Sequence, residues 1–365
     1  MTGDVRPFRS AVPLADLDDL RNRLAATRWP DELPGVGWAY GVPLEYLREL
    51  VAYWQDGYSW RDNEARLNSF PQFTTEIDGQ RIHFLHVRSA QPDALPLLLT
   101  HGWPGSVLEF LDVIGPLTES FHVVIPAIPG FGFSGPTSST GWGPHRVAGA
   151  WTQLMARLGY ERYGVQGGDW GSIISRVVAA LEPERVVGVH LNFLPTVPRG
   201  DSAELSDEDQ ARIAAMSKYL AAPAGYMRQQ ATRPQTLSYA LTDSPVGQLA
   251  WIAEKFREWT DPASKIDTDW LLTNVSLYWF TATAGSSARI YYEFEASRRR
   301  FADSPAPMGV AVFPYELVKP ARTLAEREHT IAQWTEHDRG GHFAALEVPE
   351  LFVRDVREFF EKVRG

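Results

Sequence analysis

The chain has no cysteine among its 365 residues. A disulfide framework, a thiolate metal site and a cysteine nucleophile are therefore excluded. No apolar run approaches the ~18 residues that a membrane-spanning helix requires. The N-terminus carries charge throughout and lacks the apolar stretch of a signal peptide, so the expected location is the cytoplasm. Positive charge is in deficit. Thirty-five Lys and Arg against 45 Asp and Glu leave a net charge of -10. That argues against nucleic acid and anionic membrane as partners, since both demand a basic patch. Internal repeats and low-complexity tracts are absent as well. What is there is ordinary globular composition, 44% hydrophobic and 22% charged. The length suits two domains or one large enzyme domain with a sizeable core.

The texture changes along the chain. Residues 1–72 read as a helical N-terminal extension that packs on the rest. Leu14, Leu17, Leu20 and Leu24 recur at helical spacing, and residues 44–54 form a second amphipathic run. From Phe73, two strand-like runs flank Asp78-Gly79, a strong signal for a two-residue hairpin. Apolar runs at 95–100, 122–128, 164–168 and 186–193 then alternate with helical stretches such as 147–158 and 171–181. This alternation predicts an α/β core with a mostly parallel sheet, opened by an antiparallel hairpin. Residues 195–202 read as a linker, and 196–302 as an inserted helical lid. A loop at 302–309 returns the chain to strands and a last helix at 351–363. The core therefore spans 73–195 and 303–365.

Three places carry chemistry. Gly167-Gly168-Asp169-Trp170-Gly171 lies between a strand and a helix and has the small-x-nucleophile-x-small form of a nucleophile elbow. The usual serine is replaced by Asp169. A carboxylate there attacks a carbon electrophile and forms an alkyl ester. The same residues also suit a Gly-Gly turn with an aspartate capping the helix. The second place is His101-Gly102-Trp103-Pro104-Gly105-Ser106, at the end of an apolar strand. Its Trp103 N–H is the candidate oxyanion donor beside the N–H of Trp170. The third is Arg339-Gly340-Gly341-His342-Phe343, where a loop histidine follows the last strand. Of nine histidines His342 is the best base, and Glu316, on a loop after a strand, is the acid that would orient it. Asp338 is too near His342 in sequence to reach back easily. Gly130-Phe131-Gly132-Phe133-Ser134-Gly135 only mimics a serine elbow, because its second glycine is one place early. His83 and His86 lie three apart on a strand, face opposite sides and cannot share a metal. No spacing supports a metal site.

These motifs together resemble the microsomal-type epoxide hydrolases of the α/β-hydrolase fold. The resemblance covers nearly the whole chain. It takes in Trp29-Pro30, Leu67-Asn68, Pro71-Gln72-Phe73, Ile77-Asp78-Gly79, the three places above, Asp243-Ser244-Pro245-Val246-Gly247, Phe313-Pro314-Tyr315-Glu316 and Gly340-Gly341-His342-Phe343-Ala344-Ala345. It implies cofactor-free hydrolysis of a small-molecule epoxide by water to a vicinal diol, through an ester on Asp169. It further implies two lid tyrosines that hold the epoxide oxygen. Tyr226 matches the first. Tyr291 matches the second best, with Tyr292 as the one-residue alternative and a substrate contact beside Trp103 and Trp170. Related hydrolases also imply a cis bond between Trp103 and Pro104. Membrane-bound members carry an N-terminal hydrophobic anchor, whereas this chain begins at the following segment, which implies a soluble bacterial member. Detoxification and the biosynthesis of antibiotics such as enediynes both stay open, as does a homodimer. A haloalkane dehalogenase shares the aspartate nucleophile but would need halide-holding groups in place of two phenols. A catalytically silent receptor on the same fold would have a broken catalytic set, whereas Asp169, Glu316 and His342 are all present.

Overall fold

The computed structural model describes residues 4–198, 205–221, 224–297 and 304–364. Nine strands form one sheet: β1 (Arg6–Phe8), β2 (Gln72–Ile77), β3 (Gln80–Val87), β4 (Leu95–Thr100), β5 (Phe121–Pro126), β6 (Tyr163–Gly167), β7 (Val186–Leu191), β8 (Met308–Val312) and β9 (Ile331–Glu336). Their order is β1-β2-β3-β5-β4-β6-β7-β8-β9. Strands β1, β2, β3 and β5 pair antiparallel, and β5, β4 and β6 to β9 are parallel. The parallel strands are the near-continuous apolar runs of the sequence. Strands β5, β6 and β8 are buried along their whole length, as a sheet covered by helices on both faces demands. The hairpin turn is the expected one. Asp78 and Gly79 both have positive φ, 53° and 71°, as a two-residue turn matching the strand twist requires.

The N-terminal segment departs from the all-helical expectation at β1, a three-residue edge strand paired with β2. Such a strand is too short to show a period, and its Pro7 is tolerated because an edge strand leaves one N–H row unpaired. The helices Leu14–Ala25, Leu44–Asp56 and Trp60–Leu67 follow. Leu17, Leu20 and Leu24 are buried, whereas Leu14, in the first turn, is exposed.

Six helices lie between β7 and β8 among the described residues, from Asp207–Ala221 to Ala284–Ser297. They form the inserted helical region. Residues 199–202 of the expected linker and the lid boundary at 302 lie outside the described residues, and β8 begins two residues inside the expected 302–309 loop. The N-terminal helices hold this lid. Trp54 Nε1 donates to Ser276 Oγ (3.0 Å), Tyr58 Oη to Thr273 Oγ1 (3.1 Å) and Tyr53 Oη to Asp269 Oδ1 (2.7 Å). The extension thus ties the lid helix Thr268–Phe280 in place over the core.

Candidate active site

Asp169 is the first residue of the helix Asp169–Leu181, directly after β6 and Gly168. Its φ is +48°, a left-handed conformation rare for a residue with a side chain and characteristic of a strained functional turn. The elbow is as tight as its glycines suggest. A Cβ on Gly171 would lie 1.9 Å from the Thr100 carbonyl oxygen, and one on Gly102 would lie 2.3 Å from the Asp169 side chain. Bare backbone at these two places lets the loop after β4 close on the nucleophile.

That loop delivers the expected donor. The Trp103–Pro104 bond is cis, and the Trp103 N–H donates to Asp169 Oδ1 at 2.8 Å. The Trp170 N–H hydrogen-bonds to the same carboxylate. His101 anchors the loop from beneath. Its Nδ1 meets the Gly102 carbonyl (2.9 Å) and its Nε2 accepts the Ile128 N–H (3.1 Å). Burial lowers its pKa to about 4, so it stays neutral and structural. The lid helix Thr268–Phe280 grips the loop from above. Asn274 Nδ2 donates to the Pro104 carbonyl (2.8 Å), Ser106 Oγ to Asn274 Oδ1 (2.8 Å) and Tyr278 Oη to the Gly105 carbonyl (2.6 Å).

His342 reaches over the sheet edge from the loop after β9. Its Nδ1 hydrogen-bonds to Glu316 Oε1 at 2.7 Å, and its Nε2 lies 3.7 Å from Asp169 Oδ2. The Leu317 N–H also donates to Glu316 Oε1 (2.7 Å), which fixes that carboxylate. Asp338 is elsewhere, highly exposed and beside Arg339. Burial acts to lower the His342 pKa, but Glu316, Asp169 and Glu109 together raise it to about 9. For Asp169 burial dominates and raises the pKa, opposed by His342 and the two N–H donors.

A cavity of about 780 Å³ opens above Asp169, lined by Trp170, Tyr226, Tyr291, Phe193 and Met216 among others. The two phenol rings are 6.0 Å apart. Trp103 stacks on Tyr226 at 5.2 Å, and Trp170 meets Tyr291 edge-on at 4.7 Å. Burial first, then the neighbouring phenols and Asp169 for Tyr226, and Asp169 for Tyr291, push both phenols well above their ordinary range. Both therefore keep their protons as donors.

The chain is similar to known proteins over almost its whole length. Residues 5–110 match the family described as epoxide hydrolase N terminus, and residues 96–251 match the alpha/beta hydrolase fold. A Stigmatella aurantiaca protein whose epoxide hydrolase name is provisional is 47% identical over 99% of this chain and 86% of its own. Epoxide hydrolase 1 of Sus scrofa is 34% identical over 97% of this chain and 88% of its own. The structure of the Aspergillus niger epoxide hydrolase superposes with a TM-score of 0.90 at 35% identity, over 99% of this chain and 97% of that one. The chain belongs to the epoxide hydrolase family. It has the α/β-hydrolase core of that family, with an N-terminal extension and an inserted helical lid.

In this epoxide hydrolase the two tyrosine candidates of the last lid helix part company. Tyr291 is 4% exposed and lines the cavity, whereas Tyr292 is 46% exposed and does not. One helical residue turns a side chain by ~100°, so adjacent tyrosines cannot both face the nucleophile. Tyr292 is thus corrected from a substrate contact to a surface residue. Trp103 lends the site its N–H and a ring behind Tyr226 and does not line the large cavity.

Four residues of the epoxide hydrolase site escape sequence reasoning. Trp259, at a lid helix end, accepts the His342 N–H on its carbonyl (2.9 Å) and packs its ring 5.0 Å from the imidazole. Asp261 accepts the Gly340 N–H (2.9 Å). Glu347 accepts the N–H of both Asp261 (2.8 Å) and Phe343 (2.9 Å). Glu109 enters from the loop of the oxyanion donor. Nothing in their spacing marks any of them. His83 bonds to Gln72 and His86 to Tyr160. Among the described residues no group of His, Asp and Glu is arranged to hold a metal, and no helix is long and apolar enough to cross a membrane.

Proposed function

We propose that Asp169 is the nucleophile of epoxide opening, Tyr226 and Tyr291 the acid pair, and His342 with Glu316 the base of ester hydrolysis. The observation that carries this reading is one carboxylate that accepts two backbone N–H donors, lies beside an imidazole and shares a cavity wall with two buried phenols. Asp169 Oδ1 is occupied by the Trp103 N–H, which leaves Oδ2 to attack an epoxide carbon. The ring C–O bond breaks, and the departing oxygen takes a proton from a phenol. Asp169 becomes a neutral ester. Its negative charge no longer holds the proton on His342, which is released to restore the phenol. Neutral His342 then accepts a proton from water as the water oxygen attacks the ester carbonyl carbon. The N–H groups of Trp103 and Trp170 hold the oxyanion. Collapse breaks the ester C–O bond, and the leaving alkoxide takes the proton from His342. The second proton of the water leaves the new Asp169 carboxyl group and recharges His342. Two lower barriers replace one high one.

The cavity wall supports a substrate with a bulky apolar substituent, since it is mostly apolar around the tyrosines. Two phenols in the cavity that Asp169 borders suit an oxygen leaving group that must be protonated rather than a halide. A soluble bacterial enzyme is part of the same reading, supported by the 47% identity with the Stigmatella aurantiaca protein. The test is a single turnover in oxygen-18 water with enzyme in excess. The ester route delivers a carboxylate oxygen, so the diol is almost without label and the Asp169 peptide gains it. A fully labelled first-turnover diol refutes Asp169 as nucleophile.

A further inference from the structure

Asp169 borders two cavities. One is the large tyrosine-lined space. The other, of about 20 Å³, is walled by Glu109, His342, Asn192, Phe110 and Phe343 among others, and among the described residues Asp169 alone is common to both walls. Neither Tyr226 nor Tyr291 reaches it. Its size is that of one water, since a buried water needs roughly 10–15 Å³ and two to four polar partners. Its wall carries both groups that the second half-reaction needs, the base and the carboxyl to be attacked.

Glu109 is a further polar group in that wall and has no part in the steps above. It follows the His101–Ser106 stretch and turns back on it. Its Oε1 occupies the space beside Gly105, where a Cβ would lie 1.3 Å away. The carboxyl takes the Ser106 N–H, and its charge interacts with both His342 and Asp169. A carboxyl group kept against the catalytic pair is costly unless it is bonded, and packing alone could be met by an apolar side chain.

We infer that Glu109 is a positioning residue that holds the hydrolytic water in the small cavity. A carboxyl oxygen accepts one water hydrogen while the other points to His342 Nε2. The water oxygen is then turned toward the ester carbon. The water's first proton goes to His342 and its oxygen forms the new C–O bond; Glu109 neither gains nor loses a proton. Burial supports this, because with help from the Asp169 charge it raises the Glu109 pKa to about 8 against His342 and the Ser106 N–H. Glu109 is then mostly neutral at pH 7, and a neutral carboxyl still offers its carbonyl oxygen.

The inference rests on the ester route, and the experiment separates the two. Glu109→Met and Glu109→Leu fill the space beside Gly105 without a good acceptor, while Glu109→Gln keeps a carbonyl oxygen. Each is compared with His342→Gln by stopped-flow tryptophan fluorescence and intact mass spectrometry on an aryl epoxide, with thermal melting as the fold control. A misplaced nucleophile costs on the order of 10²-fold. Glu109→Met and Glu109→Leu should alkylate at close to the wild-type rate, hydrolyse on the order of 10²-fold more slowly and accumulate the alkyl-enzyme. Glu109→Gln should hydrolyse within about tenfold of wild type. Adduct in His342→Gln but not in the apolar variants overturns the role of Glu109 alone. Equal losses in both steps do the same, since they mark a packing role. Adduct in none of the variants, with wild type active, overturns the ester route as well.

Discussion

The resting charge on His342 and its function as a base are reconciled only if alkylation discharges it, and the size of that effect follows from the geometry. His342 Nε2 and Asp169 Oδ2 are 3.7 Å apart. Two unit charges at that distance and an effective dielectric constant near 20 interact by about 4 kcal/mol. At 1.36 kcal/mol per pH unit, that is about three pH units. Esterification removes the Asp169 charge, so the imidazole should fall from about 9 in the resting enzyme to roughly 6 in the alkyl-enzyme. Hydrolysis needs neutral His342. Its rate constant should therefore be low below that value, rise through it and be flat across the neutral range. Glu316, Glu109 and Glu347 also face the imidazole. Burial raises Glu347 to about 7, against the Asp261 and Phe343 N–H groups and His342, so it is mostly uncharged at that midpoint and Glu347→Gln should leave the midpoint nearly where it is. Stopped-flow tryptophan fluorescence from about pH 5 to about pH 10 resolves the two steps. A hydrolysis constant that still climbs tenfold per pH unit near pH 8 refutes the coupling, because His342 would then keep its resting pKa after Asp169 is neutralised.

The lid and the elbow give further tests. Tyr226→Phe and Tyr291→Phe should each slow alkylation by about 10²-fold and leave ester hydrolysis nearly intact, while Tyr292→Phe leaves both steps unchanged; pre-steady-state fluorescence distinguishes these outcomes. Gly171→Ala forces a Cβ to 1.9 Å from the Thr100 carbonyl and should cost on the order of 3 kcal/mol or more. Gly149→Ala, in the helix Pro144–Arg157 with open space around it, should be neutral or stabilising by up to about 1 kcal/mol. Denaturant melts of the two variants compare them directly, and equal stability would show that the elbow does not need its glycine.

The sequence by itself determined the parallel core and the hairpin, and it marked the elbow at Asp169 and offered His342 as the candidate base. Each is written in a local pattern. Buried parallel strands must be apolar runs, Asp-Gly suits a turn with two positive φ angles, and an elbow needs small residues at fixed offsets from Asp169. The edge strand Arg6–Phe8 was illegible because three residues carry no period. Other features belong to contacts between distant segments, and only the tertiary structure decided them. Tyr291 and Tyr292 sit side by side on one helix; the packing of that helix, through Tyr291 and Phe294, against Trp170 chose between them. Trp259 holds the His342 N–H through its backbone carbonyl and Asp261 holds the Gly340 N–H through its carboxylate, each some 80 residues away in the chain, and neither contact leaves a mark in sequence. Glu109 reads as one surface acid among many until the loop folds its carboxyl beside Gly105 and against the His342–Asp169 pair. Local sequence sets which conformations a segment prefers, whereas burial and charge at a point in space are sums over every segment that the fold brings there.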